Sequence, residues 1–462
     1  MATTLETPAT GVAADAKSGF LADWERFTAE RPRHEPAALT TLRRRAIERF
    51  AALGFPSQRQ EEWRFIDFAP LARLVFRRDE EGEYSPAEAE VAPHRIPGAI
   101  ELVFANGRYL PQLSRVEGLP AGAAVTGLAD LLARDPERTL PLLGRYASCE
   151  RHPFVALATA FLADGAYVEL PAGAVLAAPV HLIFLSRGNN TIDPERAPAG
   201  ALVASFPRVL AVAGEASQLT LVETFAGDGA YLTAPVTELV AGPAAVVDHY
   251  KVQRDSPEAF HLATFQLQAE RASAPSSHSL AFGGGLVRND VNAVLAGEGV
   301  DCILNGLYVL EGRQLVDNHM RVEHAAPHCG SHELYKGVLD GHARAVFNGL
   351  IYVHPGAQKT DAKQSNRNLL LSRHAVANSN PQLEIFADDV KCTHGSTVGQ
   401  LDDDAIFYLR SRGIGADAAR SLLTYAFASD IVARIKVEAV RHDLEEFLFA
   451  RLPKGEVVRQ AV

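Results

Sequence analysis

Cys392 and His394 are the two residues whose types and spacing suggest chemistry most directly. They lie in the segment Asp388-Asp389-Val390-Lys391-Cys392-Thr393-His394-Gly395. In an extended strand, residues two apart share a face, so the thiol and the imidazole would lie side by side. We expect Lys391 to lower the thiol pKa, and Gly395 permits a turn. Spacing alone leaves a second interpretation open, in which a buried cysteine and a capping histidine end a strand.

A second group of metal-ligand residue types lies within fourteen residues of sequence. It consists of His319, His324, His328, Cys329 and His332. Imidazole and thiolate bind iron, zinc or copper. Alternate residues of a strand point in opposite directions, so only a subset could converge. The pattern favours surface or turn histidines over a metal site and leaves the role of the group open.

Several common catalytic motifs are absent from the sequence. It contains no G-x-x-x-x-G-K-[ST], so we predict no nucleotide site in this chain. Gly283-Gly284-Gly285 lacks the spacing of a dinucleotide fingerprint. No G-x-S-x-G, H-E-x-x-H or paired-cysteine motif occurs. Any energy for this protein's work is therefore expected to come from a partner.

Composition indicates a cytoplasmic protein that binds other proteins. The net charge of −11 disfavours nucleic-acid binding. Four scattered cysteines indicate reduced thiols rather than a disulfide scaffold. Met1 to Asp15 does not have the pattern of a signal peptide. The stretch from Leu170 to Ser186 contains Pro171 and Pro179 and is too short to span a membrane.

Periodicity divides the chain into three regions that would position these residues. Residues 1–150 are predicted to be mostly helical, with helices over Phe20 to Arg31 and Pro36 to Leu53. Residues 151–400 show short alternating runs typical of half-buried strands, such as Ala263 to Gln268. Residues 401–462 are helical again, and their first helix is capped by Asp402-Asp403-Asp404.

An internal repeat narrows the architecture of the middle region. Leu304-Asn305-Gly306-Leu307-Tyr308-Val309 resembles Phe347-Asn348-Gly349-Leu350-Ile351-Tyr352-Val353, 43 residues later. This offset predicts two coils of a solenoid with about 20 residues each. With no long helix in more than 200 residues, we predict a mainly β protein. Its core is a right-handed parallel β-helix between N-terminal and C-terminal helical domains.

The motifs after residue 331 resemble the SufB/SufD family of iron–sulfur cluster assembly proteins, and its D-type members most closely. Glu62-Trp63-Arg64 resembles the family's segment after the N-terminal helices. The matching segments are Leu334-Tyr335-Lys336-Gly337-Val338-Leu339, Val346-Phe347-Asn348-Gly349, Ala357-Gln358-Lys359-Thr360-Asp361, Asn368-Leu369-Leu370-Leu371-Ser372, Pro381-Gln382-Leu383-Glu384-Ile385, Asp388 to Gly395, and Phe407-Tyr408-Leu409-Arg410-Ser411-Arg412-Gly413-Ile414.

This resemblance implies partners and site residues. It implies a β-helix that forms a heterodimer with a SufB-like subunit at its end, with SufC-like ABC ATPases bound to the C-terminal helices. The ATPase-docking residues would be Phe407, Tyr408, Arg410, Arg412 and Gly413. His394, with Cys392 beside it, would contact a transient iron–sulfur cluster or iron near the subunit interface. A reduced flavin as electron source and homodimerisation of the isolated chain stay open.

Two alternatives remain at the level of sequence. A B-type member would hold the cluster itself, but this chain has Asn366-Arg367-Asn368 where the B-type carries an important cysteine. The departure favours a non-catalytic D-type scaffold. A β-helical carbohydrate-active enzyme would share the solenoid, but the absent signal peptide and the C-terminal helices argue against it.

Overall fold

The middle of the chain forms a β-solenoid in which each regular coil contributes one strand to each of two parallel sheets. In the computed structural model, which describes residues 16–31, 35–79, 82–188 and 201–461, these sheets contain twelve and ten strands. Asp301 pairs with Gly330, and Gly330 pairs with Asp361, offsets of 29 and 31 residues. The predicted β-helix with helices at both ends is confirmed. Met1 to Asp15 lies outside the described residues.

The coil is longer than the internal repeat suggested, so the prediction of about 20 residues per coil is wrong. The first copy of the repeat lies in the ten-stranded sheet and the second in the twelve-stranded sheet. The offset of 43 residues therefore spans one and a half coils. A shared steric need explains the repeat, because a Cβ at Gly306 would lie 2.2 Å from the Tyr335 ring and one at Gly349 would lie 2.3 Å from Gln364 Nε2.

The strands follow the chain with ten residues as their commonest length in the regular coils. The first strands are β1 Phe76–Arg77, β2 Ile100–Ala105, β3 Arg108–Tyr109, β4 Ala124–Gly127, β5 Gly165–Leu170, β6 Val180–Arg187, β7 Leu202–Ser205, β8 Arg208–Ala213, β9 Gln218–Asp228, β10 Tyr231–Thr233 and β11 Val236–Ala241. They continue as β12 Val246–Arg254, β13 Phe260–Ala269, β14 Ala274–Ala281, β15 Leu286–Leu295, β16 Asp301–Leu310, β17 Leu315–His324, β18 Gly330–Leu339, β19 Arg344–Val353, β20 Asp361–Leu370, β21 Val376–Ile385 and β22 Lys391–Gly399.

Helices flank the solenoid at both ends of the chain. They are α1 Ala16–Ala29, α2 Ala37–Leu53, α3 Ala69–Ala72, α4 Glu88–Val91, α5 Leu128–Arg134, α6 Pro136–Thr139, α7 Pro153–Ala160, α8 Asp403–Ser411, α9 Ala416–Val432, α10 Glu438–Arg451 and α11 Gly455–Ala461. The N-terminal region also contributes strands, since β2 pairs with β6 in the ten-stranded sheet. None of the described helices is long and apolar enough to cross a membrane.

The segment Glu61–Trp63 forms a short 3-10 turn that docks the N-terminal region on the solenoid. Arg288 Nη1 donates a hydrogen bond to the carbonyl oxygen of Glu62 at 3.0 Å. The guanidinium of Arg288 also lies 4.3 Å from the centre of the Trp63 ring, a cation–π contact. Trp63 is buried. The Glu-Trp-Arg motif is thus a packing element between two parts of the fold.

Alternation in β12 does not separate solvent from core as the half-buried prediction assumed. Tyr250 and Val252 are buried on the outer face, in a cluster with residues of α9 and α10. His249 and Lys251 are buried as well, on the inner face. The physical reason is that helices cover the outside of this strand, while hydrogen bonds pair its polar side chains on the inner face. Lys251 Nζ, for example, donates to Asn289 Oδ1 at 2.7 Å.

The C-terminal helices are fixed to the solenoid through Lys336 on the outer face of β18. Its ammonium donates to the carbonyl oxygen of Phe427 at 3.1 Å and lies 2.7 Å from Asp430 Oδ2. The predicted cap is also present, since the Asp402 side chain accepts from the Asp404 amide at 2.9 Å. The outer face of β18 therefore touches the helices while its inner face lines the core.

Buried histidines are expected to make the fold sensitive to acid. Burial lowers the pKa of His261, His278 and His324 from 6.5 to about 4. The unfolded chain then binds more protons between pH 6.5 and pH 4, so this contribution to stability is present above pH 6.5 and is lost as the pH falls toward 4. Urea unfolding at pH 7 and pH 5 should show a free energy of unfolding lower by about 2 kcal/mol or more at pH 5. His278→Asn should lower the number of protons that the chain takes up on unfolding by up to one, and with it the slope of the free energy of unfolding against pH. Equal free energies of unfolding at pH 7 and pH 5 would contradict this account.

Candidate functional site

The strand that carries Cys392 and His394 is the last strand of its sheet. β22 pairs with β20 on one side and with no other strand among the described residues. Ala362 is the register partner of Cys392, and Gln364 is the partner of His394. Every residue of β22 except the half-buried Cys392 is exposed. The free edge offers backbone donors and acceptors to another chain.

Cys392 and His394 share a face of β22, as their spacing predicted. Cys392 packs against the cluster formed by Ile351, Val353 and Ala362 inside the solenoid. His394 belongs to the same face one step further along the strand and is exposed at the open end. The pair thus combines a thiol directed toward the core with an imidazole that another molecule can reach.

The thiol of Cys392 is not activated in the way the sequence suggested. Burial raises its pKa, the charge of Asp361 adds to this effect, and a hydrogen bond with the backbone of Ala362 opposes it. Lys391 does not contribute to the shift, so the expectation that it lowers the thiol pKa is wrong. A neutral thiol is a poor metal ligand until it is deprotonated. Within this pair, His394 is the more accessible donor.

Glu333 and Gln364 lie directly behind His394, and sequence reasoning missed both. Gln364 Nε2 donates to Glu333 Oε2 at 2.9 Å. The other carboxylate oxygen, Glu333 Oε1, and the amide oxygen, Gln364 Oε1, are both buried and have no hydrogen-bond partner among the described residues. Burial raises the pKa of Glu333 to about 7, and the hydrogen bond from Gln364 opposes this shift. An acidic residue in an alternating strand usually marks the solvent face, so its sequence context gave no signal of burial.

Asn366 and Asn368 lie in the segment that corresponds to the important cysteine of B-type members. Tyr308 donates its hydroxyl proton to Asn368 Oδ1 at 2.6 Å. Asn366 Nδ2 in turn donates to the Tyr308 hydroxyl oxygen at 3.0 Å. Both asparagines are buried, and Asn366 is fully enclosed. This position holds a satisfied hydrogen-bond network rather than a nucleophile.

The histidine-rich segment does not converge on one point. His324 is buried in the interior, where Nε2 lies 2.9 Å from Ser331 Oγ. His328 occupies a turn with a φ of 60°, and the buried Cys329 thiol donates to the carbonyl oxygen of Gly297 at 3.2 Å. His319 and His332 belong to the outer faces of opposite sheets. Across the described ranges, no group of three or more His, Cys, Asp or Glu residues could hold a metal ion.

Helix α8 presents the second candidate surface. It has no buried residue, and Phe407 and Tyr408 are 71% and 57% exposed. Arg412 Nη2 donates to the Tyr408 hydroxyl oxygen at 3.0 Å, and its guanidinium lies over the ring. Arg410 is exposed, and Gly413 has a φ of 87°, which favours glycine after a helix end. Aromatic rings beside arginines are typical of protein–protein interfaces.

Comparison with known families accounts for most of the chain. Residues 16–182 match the SufBD protein N-terminal region, and residues 196–427 match the SufBD core domain of the SUF system for iron–sulfur cluster assembly. This chain belongs to the SufBD family. The SufBD core match includes Glu333, Gln364 and His394 as well as α8, so both candidate surfaces lie in the part that defines the family.

Similar proteins of the SufBD family extend over nearly the whole chain. An iron–sulfur cluster assembly SufBD family protein of Synechocystis is 33% identical, over 90% of this chain and 92% of the relative. The iron–sulfur cluster assembly protein SufD of Escherichia coli is 30% identical, over 95% and 98%. The SufD protein of Bacillus subtilis is 26% identical, over 89% and 93%. These findings confirm the resemblance to the SufBD family.

Proposed function

We propose that this protein is the SufD-type scaffold subunit of a cytoplasmic complex that builds iron–sulfur clusters. A SufB-like subunit binds the open end of the solenoid, and a SufC-like ABC ATPase binds α8. The chain itself catalyses no reaction. The observation that carries the proposal is the free edge strand β22, which holds His394 exposed at the end of the core.

The chemistry of the solenoid end supports a heterodimer interface. Phe386, which follows β21, is 56% exposed, and Val398 on β22 is 48% exposed. A strand of the SufB-like subunit can add to the free edge of β22, and the apolar side chains would be buried on both sides of it. A transient cluster or iron at His394 then lies between the subunits. Cys392 becomes a ligand only if its environment changes enough to deprotonate it.

The C-terminal helices connect the proposed ATPase-binding surface to the strands behind His394 and could transmit movement between them. α8 packs beside α9, and α9 is held to β18 by the contact of Lys336 with Asp430. Glu333 lies three residues from Lys336 on the opposite face of the same strand. Movement of the helices during ATP hydrolysis would therefore act on the strand that lines the interior behind His394. Electrons for cluster formation come from a partner such as a reduced flavin.

Co-expression tests the proposal directly. We expect a tagged form of this chain to co-purify with a SufB-like subunit and a SufC-like ATPase. Ser379→Pro and Ser396→Pro measure the contribution of the end strands. The amides of Val376 and Lys391 donate to the neighbouring inner strands, so the N–H groups of Ser379 and Ser396, an odd number of residues further along, face the free edges. Arg373→Pro in an exposed turn is the control. A tagged chain that emerges alone, or only as a homodimer, from cells containing both partners would contradict the proposal.

A further inference from the structure

Two buried oxygen atoms in the solenoid interior behind His394 have no hydrogen-bond partner in the part of the chain that the structure describes. They are Oε1 of Glu333 and Oε1 of Gln364, and both residues are 3% exposed. Leaving a buried acceptor unsatisfied costs free energy, about 1–3 kcal/mol for each group and more for a charged one. Native cores seldom retain such atoms unless a ligand or water completes them.

The two oxygens and the imidazole belong to one column of side chains. Glu333 is the register partner of Gln364, and Gln364 is the register partner of His394. Neighbouring strands lie about 4.8 Å apart, so the three side chains follow one another toward the open end. Leu304, the next member inward, belongs to the apolar core. The polar part of the column therefore runs from Glu333 in the interior, through Gln364, to His394 at the exposed end of the solenoid.

Gly349 provides the space in which the Gln364 amide lies. A Cβ at position 349 would lie 2.3 Å from Nε2 and 2.6 Å from Oε1 of Gln364. The amide is thus held between the opposite sheet and the Glu333 carboxylate. A side chain at position 349 would therefore displace the Gln364 amide, so glycine is required here for the amide to lie beside Glu333.

The donor set defines the ligand that would complete the column. A carboxylate oxygen, an amide oxygen and an imidazole nitrogen suit a divalent first-row metal ion, whereas soft thiolate sites select Cu(I) or a finished cluster. We propose that Glu333 and Gln364, together with His394, bind ferrous iron before it enters a cluster. This inference rests on the proposed function, because it takes iron to be the substrate delivered to His394.

Ferrous iron binding to the full-length chain tests the inference. Under anaerobic conditions, equilibrium dialysis with ferrous iron should reveal one ion bound per wild-type chain. Glu333→Gln and Gln364→Met nearly preserve shape and should each weaken binding at least tenfold. Glu223→Gln is the matched control, because Glu223 is buried in the same interior but accepts hydrogen bonds from Thr237. Thermal unfolding of each variant verifies that it is folded.

The outcomes separate this inference from the proposed function. No iron binding by the wild-type chain, unchanged binding by Glu333→Gln, or an equal loss in Glu223→Gln would each overturn the inference, and the oxygens would then be completed by water alone. If cluster assembly still depends on His394 in that case, the proposed function stands without it. If Glu333→Gln weakens iron binding but His394→Ala leaves cluster assembly intact, the inner site stands and the proposed role of His394 fails.

Discussion

Replacing His394 with alanine is expected to lower the cluster content of the purified three-subunit complex at least tenfold. His394 is exposed on the free edge strand, so its removal should cost little folding free energy, within about 0.5 kcal/mol. A transient site with few ligands depends strongly on each of them, and loss even of groups that only support metal ligands costs 10–100-fold in affinity or activity. Iron and sulfide analysis after anaerobic purification, followed by transfer to an apo-acceptor, provides the measurement.

Two further variants make the His394 result specific. His442→Ala removes an exposed imidazole from α10 and should leave the cluster content at the wild-type level. Cys392→Ala should have a smaller effect than His394→Ala, because burial keeps the thiol protonated. Unchanged iron content and cluster transfer in His394→Ala would remove this residue from the mechanism. An equal loss in Cys392→Ala would make the thiol a second ligand.

Charge reversal at Arg410 and Arg412 is expected to weaken ATPase binding by tenfold to a hundredfold, about 1.4–2.8 kcal/mol. Both arginines are exposed on or just after α8, and Arg412 lies against Tyr408. Reversal would place like charges where the partner is expected to present acidic groups. Phe407→Ala should weaken binding by a comparable amount, since an exposed aromatic side chain is a typical anchor of an interface. Titration of the purified chain with the ATPase measures both effects.

A matched pair of arginines controls for net charge in this second experiment. Arg151 and Arg373 are exposed elsewhere on the chain, so reversing both changes the net charge equally without touching α8. That double variant should bind the ATPase like the wild type. Wild-type binding by the Arg410 and Arg412 variant would place the ATPase on another surface, and equal weakening by the control would reduce the effect to long-range electrostatics.

Local patterns in the sequence predicted element type well because their causes are local. The cap at Asp402 needs only a side chain and a nearby amide, and the structure contains that hydrogen bond. The alternation in β13 reflects the pleat of a single strand, and Phe265 and Leu267 are indeed buried. Coil length was mispredicted because it depends on which strands become neighbours. The repeat at Gly306 and Gly349 reflects close packing in two different sheets.

In the candidate site, too, the features with local causes were predicted from the sequence, and those that depend on tertiary contacts were not. Spacing in the sequence placed Cys392 and His394 on one face of a strand, and the ordered motifs placed that strand in the SufBD family. The pKa of the Cys392 thiol is raised rather than lowered, because burial dominates and the neighbouring Lys391 does not contribute. Glu333 and Gln364 were missed because they are 31 residues apart in the sequence and meet only through strand register.

The sequence by itself determined that this protein is a β-helical member of an iron–sulfur cluster assembly family, and it predicted His394 as the residue that contacts iron. Those conclusions rest on residue order, alternation and motifs, which the chain carries before it folds. Only the tertiary structure decided that, among the described residues, β22 ends its sheet with a free edge and two unpartnered oxygens lie behind the imidazole. Strand neighbours and burial arise from contacts between residues distant in sequence. Those contacts place the exposed His394 next to the buried Gln364 and Glu333 on adjacent strands.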